Sequence, residues 1–332
     1  MRNIGNSRAT LGLAFVLGIV WLTSSPAAAQ SGKVWRHGVL NAKSDAGFFF
    51  MAAKRGFDQK EGIKVEIKQV KDDQIGLKAL IAGELDSFEG GPQGVISADA
   101  KGADAKILGC HWVVVPHGIY VRGNDIHSVK DLKGKSIAVS APNSMPDMLA
   151  RAALEKYGVD PSQVKLAAVG GDRERYQALV GGVVQAAVVS NEYEPVAPKD
   201  VHLLIAGRDA LPKLLRVCIM SSAKVLAARG DDAVRFLTAE MKALRYAVAN
   251  KDATVALTRE MTHAKPDDPR PGFVWDDAVK HHAVDPTLPI PMDKLEWLQQ
   301  QLVKVGKLSK PIDLKTVVAP EYREKALAAA GK

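Results

Sequence analysis

Ala79-Leu80-Ile81-Ala82-Gly83-Glu84-Leu85-Asp86 has an echo at Ala178-Leu179-Val180-Gly181-Gly182-Val183-Val184-Gln185. Each stretch ends an apolar helical run on glycine, which accepts the left-handed backbone of a helix C-cap, and feeds at once into a short apolar strand. Two unrelated helix ends would give the same pattern by coincidence; as a repeat, it means two similar lobes. Outward from the two stretches, strand-like segments fall at 33–40, 63–70, 85–88, 105–114, 118–121, 136–140, 164–169, 185–190 and 201–206. Helix-like segments lie between them at 46–61, 73–82, 92–101, 145–157 and 173–180. Strands alternating with helices predict parallel sheets wound by right-handed crossovers, so the fold class is α/β. A lobe boundary fits near Arg122-Gly123-Asn124. Beyond residue 222 the pattern turns helical, at 231–250, 253–262, 275–281 and 292–305, and this tail needs a lobe to pack on.

The 332 residues are 47% hydrophobic and 25% charged, which excludes collagen-like, low-complexity and wholly disordered chains. The first 29 residues read as an address. Arg2 and Arg8 precede an apolar stretch at 11–22, Ser24-Ser25-Pro26 breaks it, and Ala27-Ala28-Ala29 offers the small-x-small pattern of signal cleavage before Gln30. Twelve apolar residues are too few for the roughly 20 of a membrane span. The expectation is export into the periplasm with the leader cleaved. Loss of two arginines takes the charge from +8 to +6, spread over mixed runs such as Lys71-Asp72-Asp73, with no basic stripe of the kind nucleic acid requires.

Motifs of catalysis fail one by one. Gly134-Lys135-Ser136 ends like a phosphate loop, but Val129 stands where its first glycine belongs. Ser221-Ser222-Ala223-Lys224 lacks the partner motifs of a Ser-x-x-Lys enzyme. His281 and His282 are adjacent and point to different helix faces, so no metal or other cofactor is expected. Cys110 and Cys218 lie too far apart in sequence for a zinc or redox pair; two buried small hydrophobes are expected, with a bridge as the alternative.

Five stretches carry a resemblance. Ala53-Lys54-Arg55-Gly56-Phe57-Asp58-Gln59-Lys60-Glu61-Gly62-Ile63, Ala82-Gly83-Glu84-Leu85-Asp86, Val129-Lys130-Asp131-Leu132-Lys133-Gly134-Lys135, Leu154-Glu155-Lys156-Tyr157-Gly158-Val159-Asp160 and 178–188 leading to Glu194-Pro195 follow one another in the family's order and spacing. The chain thus resembles the solute-binding proteins of nitrate/taurine/sulfonate-type ABC transporters, a group that includes binders of thiamine-pyrimidine precursors. Gln185 departs from the aspartate usual there, without threatening the fold. The resemblance implies a type II periplasmic-binding-protein fold. Its first lobe would comprise 33–121 plus 219–332 and its second 122–218, with hinge strands near 117–122 and 215–221 and the helical tail on the first lobe. It also implies a monomer that hands a small molecule to an inner-membrane ABC permease. An exported or fold-sharing enzyme acting on a small heterocycle, and a sensor subunit presenting its ligand to a receptor, are the alternatives.

Parallel sheets bind ligands beyond the C-terminal ends of their strands. In the first lobe those loops nominate Asn41, Ser44, Phe48, Glu89, Gly90, Gly91 and Trp112, the last preceded by His111. In the second they nominate Ser140, Asn143, Ser144, Asn191, Glu192 and Tyr193. Bland roles compete: Ser144-Met145-Pro146-Asp147 is a helix N-cap pattern, Trp112 is more naturally buried than stacked on a ligand, and the glycines suit a tight turn. Lys43 is the only cation expected in the cleft, against Asp45, Glu89, Asp147 and Glu192, which favours a neutral or cationic ligand over a simple anion.

Overall fold

The computed structural model describes residues 34–142 and 144–331; the leader and Asn143 lie outside the described residues. Strands β1 (Val34–Leu40), β2 (Lys64–Val70), β3 (Ser87–Gly90), β4 (Ala105–Trp112) and β10 (Val217–Ser222) form one sheet, ordered β2-β1-β3-β10-β4. Strands β5 (His117–Arg122), β6 (Ser136–Val139), β7 (Lys165–Ala168), β8 (Ala186–Ser190) and β9 (Val201–Ala206) form the other, ordered β7-β6-β8-β5-β9. In both, the first strand of the half pairs in parallel with its second and third. In both, one antiparallel strand lies between the third and fourth: β10 in the first sheet, β5 in the second. The halves therefore share one topology, and the echoed stretches enter equivalent third strands, β3 and β8.

The equivalence reaches single contacts. Asp86, just before β3, accepts from Arg36 N of β1 at 2.8 Å. Gln185, just before β8, accepts from Ser136 N of β6 at 3.1 Å with an amide oxygen in place of the carboxylate. Either side chain ties a third strand to its first by one backbone bond, so a glutamine at 185 keeps that contact without a charge, while Asp86 also pairs with Arg36 and Arg229.

Two boundaries are corrected. The sequence reading ends the first lobe at residue 121, yet β5 pairs with β8 and β9, so residues 117–121 belong to the second sheet. It ends the second lobe at residue 218, yet Val217 and Cys218 of β10 pair with β3 and β4 in the first. The sheets are joined by two connectors, 113–116 and 207–216. The expected helix over 46–61 is also two helices, Ala46–Lys54 and Phe57–Lys60, because Gly56 between them takes φ +73°, where only glycine sits without strain.

The helical tail packs on the first sheet. Helix Ala223–Ala249 lays Phe236, Leu237, Met241 and Leu244 into a core with Trp35, Phe48, Phe50 and Met51. Helix Lys251–Thr262 meets helix Ala46–Lys54 backbone to backbone at Gly47, whose N–H donates to Thr258 Oγ1 at 2.8 Å. A Cβ at Gly47 would stand 2.2 Å from the Thr254 carbonyl oxygen, so the helices would have to separate. Gly47→Ala should therefore lower stability by about 1–3 kcal/mol, read as a drop in thermal midpoint; an unchanged midpoint would show that the contact yields freely.

Candidate functional site

Residues of both halves line one small, partly open space beside the connectors. Ser44 and Asp45 come from the loop after β1, and Trp112 and Pro116 from the end of β4 and the first connector. Ser190, Asn191 and Glu192 come from the end of β8, and Arg216 from the second connector. Val274 and Asp277 of the tail helix Arg270–Lys280 complete the lining. This is the strand-end position expected for an α/β ligand site.

Several bonds cross between the halves. Lys43 Nζ meets Asp172 Oδ2 at 2.8 Å, Ser44 N–H donates to Glu192 Oε2 at 3.3 Å, and Asn191 Nδ2 donates to Asp277 Oδ2 at 2.7 Å. Arg208 also reaches Asp277, at 3.5 Å. Arg216 pairs with Asp45 and lies over the Trp112 ring, 4.1 Å from its centroid. Burial works against the Asp172 carboxylate, but His117, Lys43 and Arg175 around it hold its pKa well below the usual range. Glu192 goes the other way: burial pushes its carboxyl up, and the Ser44 bond offsets this only in part.

Three buried polar atoms of the lining have no partner among the described residues: Trp112 Nε1, Asn191 Oδ1 and Arg216 Nη1. Trp112 is 1% exposed and Asn191 5%. A buried polar atom left unpaired costs about 1–3 kcal/mol, so three on residues that line one space call for hydrogen bonds from whatever fills it.

Of the nominated residues, Ser44, Trp112, Asn191 and Glu192 meet at this space. Phe48 is core, edge-on to Trp112 with ring centroids 5.4 Å apart. Glu89 and His111 are turned into the first sheet's interior, bonded to each other at 2.9 Å. Gly90 and Gly91 sit against Asp73, which takes the Gly91 N–H at 3.0 Å. Asn41 is exposed, and Ser140 lends its carbonyl to Gly170. Ser144 caps helix Met145–Lys156 through the Asp147 N–H, and Tyr193 stacks on Tyr176 at 4.3 Å. Asn143 lies outside the described residues.

The charge reading needs correction. Arg216 lines the space and Arg208 adjoins it through Asp277, so Lys43 is not the lone cation, and Asp45 and Asp277 each have a cationic neighbour. Arg216 carried a faint signal, as a charge inside the apolar run Leu214-Leu215-Arg216-Val217-Cys218. Asp277 carried none, because only the packing of its helix on the 191–196 turn brings it there.

Among the described residues no helix is long and apolar enough to cross a membrane, and no three His, Cys, Asp or Glu side chains could hold a metal ion. A relative named as a binding protein, YtlA of Bacillus subtilis, is 23% identical over 294 residues, 83% of this chain and 84% of its own. The periplasmic sulfonate-binding protein SsuA of Methylobacillus flagellatus matches in structure with a TM-score of 0.72 at 17% identity, over 90% of this chain and 94% of its own. The desulfurization enzyme DSZB has the same fold, with a TM-score of 0.65 at 16% identity, over 90% of this chain and 99% of its own. The fold is thus the α/β fold of periplasmic binding proteins, one that also serves an enzyme. The model of the NMT1/THI5-like family matches residues 43–254, strand, loop and connector alike, and the chain belongs to that family.

Proposed function

We propose that the protein is a periplasmic solute-binding protein that takes one small organic molecule between its two halves and delivers it to an ABC importer. The observation that carries this reading is that three residues lining the one space between the halves, Trp112, Asn191 and Arg216, each hold a buried polar atom without a partner: Nε1, Oδ1 and Nη1. The relative named as a binding protein and the sulfonate-binding neighbour support the same role. The connectors 113–116 and 207–216 act as the hinge. A solute touching both halves stabilises the closed arrangement by its differential affinity for it, and the permease reads that closed form. The bonds already crossing the cleft assist closure weakly, since the Lys43 side chain is 42% exposed and such pairs contribute about 0–1 kcal/mol. The preferred ligand is neutral or cationic over a simple anion, because Arg216 is already balanced by Asp45. The protein acts as a monomer, without cofactor or nucleic acid.

The test is native mass spectrometry of the mature chain purified without denaturation. One small molecule per protein is expected; unfolding and refolding should strip it and lower the thermal midpoint, and adding it back should restore the midpoint. A chain that carries nothing, and whose scattering radius and midpoint respond to no concentrated periplasmic extract, would end the solute-binding reading.

A further inference from the structure

From the fixed polarity of the unpaired groups we infer that the solute is an uncharged amide-type molecule, with a carbonyl oxygen and an N–H on one small frame. The inference rests on the solute-binding reading above.

An indole N–H and a guanidinium N–H can only donate. Trp112 Nε1 and Arg216 Nη1 therefore call for an acceptor. Asn191 could in principle present either end of its amide. Its Nδ2 is committed to the Asp277 carboxylate, which only accepts, at 2.7 Å, so the end without a partner is the oxygen. Asn191 thus calls for a donor on the same ligand. A sulfonate, nitrate or carboxylate supplies acceptors alone, and an ammonium ion donors alone.

Charge narrows the class further. Arg216 is paired with Asp45, and Asp277 has Arg208 at 3.5 Å, so the full charges of the lining already have counter-charges. An ionic ligand would bring an uncompensated charge into a buried site, whereas a carbonyl and an N–H bring only dipoles. A zwitterion would need a free cation and a free carboxylate. Glu192, the remaining carboxyl of the lining, is pushed by burial toward its neutral form. The Trp112 ring is already against Phe48, Phe49 and Arg216, so its contribution is the N–H and not a stacking face.

The experiment uses the refolded mature chain and probes of matched size, by calorimetry and thermal shift. The probes are 2-pyrrolidone and 2-imidazolidinone, N-methyl-2-pyrrolidone without the N–H, pyrrolidine as a cation, ethanesulfonate as an anion, and taurine as a zwitterion. The two N–H amides should bind, and N-methyl-2-pyrrolidone should bind roughly tenfold more weakly, the loss of about one buried hydrogen bond. Trp112→Phe, which keeps the ring, and Asn191→Leu should each weaken 2-pyrrolidone by a similar factor. Tighter binding of ethanesulfonate, taurine or pyrrolidine than of the lactams would overturn the amide class and leave solute binding intact. So would a co-purified molecule lacking an amide-type N–H. No binding by any probe together with no co-purified molecule would overturn both.

Discussion

Replacing Cys110 and Cys218 together with alanine should lower the stability of the mature chain by about 4–5 kcal/mol. The two residues face each other on the antiparallel strands β4 and β10 and are joined as a disulfide, where the sequence reading expected two separate small hydrophobes. The bond closes a loop of 108 residues, and cross-linking a loop near 100 residues removes about 4.7 kcal/mol of chain entropy from the unfolded state. That loop has a structural identity. It contains both connectors and all of β5 to β9, so one bridge pins the points at which the second sheet's chain leaves and re-enters the first. Urea unfolding should show the double variant shifted to a lower midpoint, and reductant should shift the wild type to the same place while leaving the variant unmoved. Equal midpoints for oxidised and reduced wild type would mean that the bridge constrains little. Because Trp112 and Arg216 lie two residues beyond the two cysteines, on the connector side, the reduced protein should also bind its solute more weakly.

The bridge marks where sequence reading stops. Periodicity and glycine caps display β1 to β9 and the helices between them, because these are local signals. The equivalence of β3 and β8 was legible in the paired Gly83 and Gly182 ends, down to the interchange of Asp86 and Gln185. The return of β10 between β3 and β4 is not local. It depends on a strand that pairs only after the whole second sheet has formed, and both the facing of Cys218 to Cys110 and the delivery of Arg216 onto Trp112 follow from it. Strand-end logic nominated Ser44, Trp112, Asn191 and Glu192, which line one space, because they follow or end strands that run in the same direction. It misassigned Glu89 to the cleft because side-chain direction at a strand end depends on register, one residue deciding between cleft and core, and Phe48 because that residue lies on the buried face of helix Ala46–Lys54. Asp277 and Val274 belong to a helix whose sequence says only that one face is apolar.

His111→Ala should cost about 3–5 kcal/mol near neutral pH, because it strands a carboxylate in the interior of the first sheet. Glu89 is 3% exposed, takes a bond from His111 at 2.9 Å, and has His37 at 3.7 Å, itself bonded to Ser87 at 2.7 Å. Burial pushes the Glu89 carboxyl up, yet the two histidines outweigh it and hold the pKa below the ordinary glutamate value. A folded-state pKa below the unfolded one, about 4.3, gives stability that is present above pH 4.3 and lost as pH falls through the folded value. Without His111 the burial effect dominates, so the deficit of the variant should be small at pH 4 and grow toward pH 7. Glu240 on the facing helix has the opposite sign: burial, Glu89 and Asp58 raise its pKa well above the ordinary value. Its folded form holds an extra proton, and its contribution, complete below pH 4.3, is lost as pH rises toward the folded value. Glu240→Gln, which stays neutral at every pH, should therefore raise the midpoint at pH 7–8 and leave it nearly unchanged at pH 4. Thermal midpoints of the two variants from pH 4 to 8 should diverge from wild type in opposite directions as pH rises. Parallel curves would mean that the carboxyls share one environment, with the charge on Glu89 no better supported than that on Glu240.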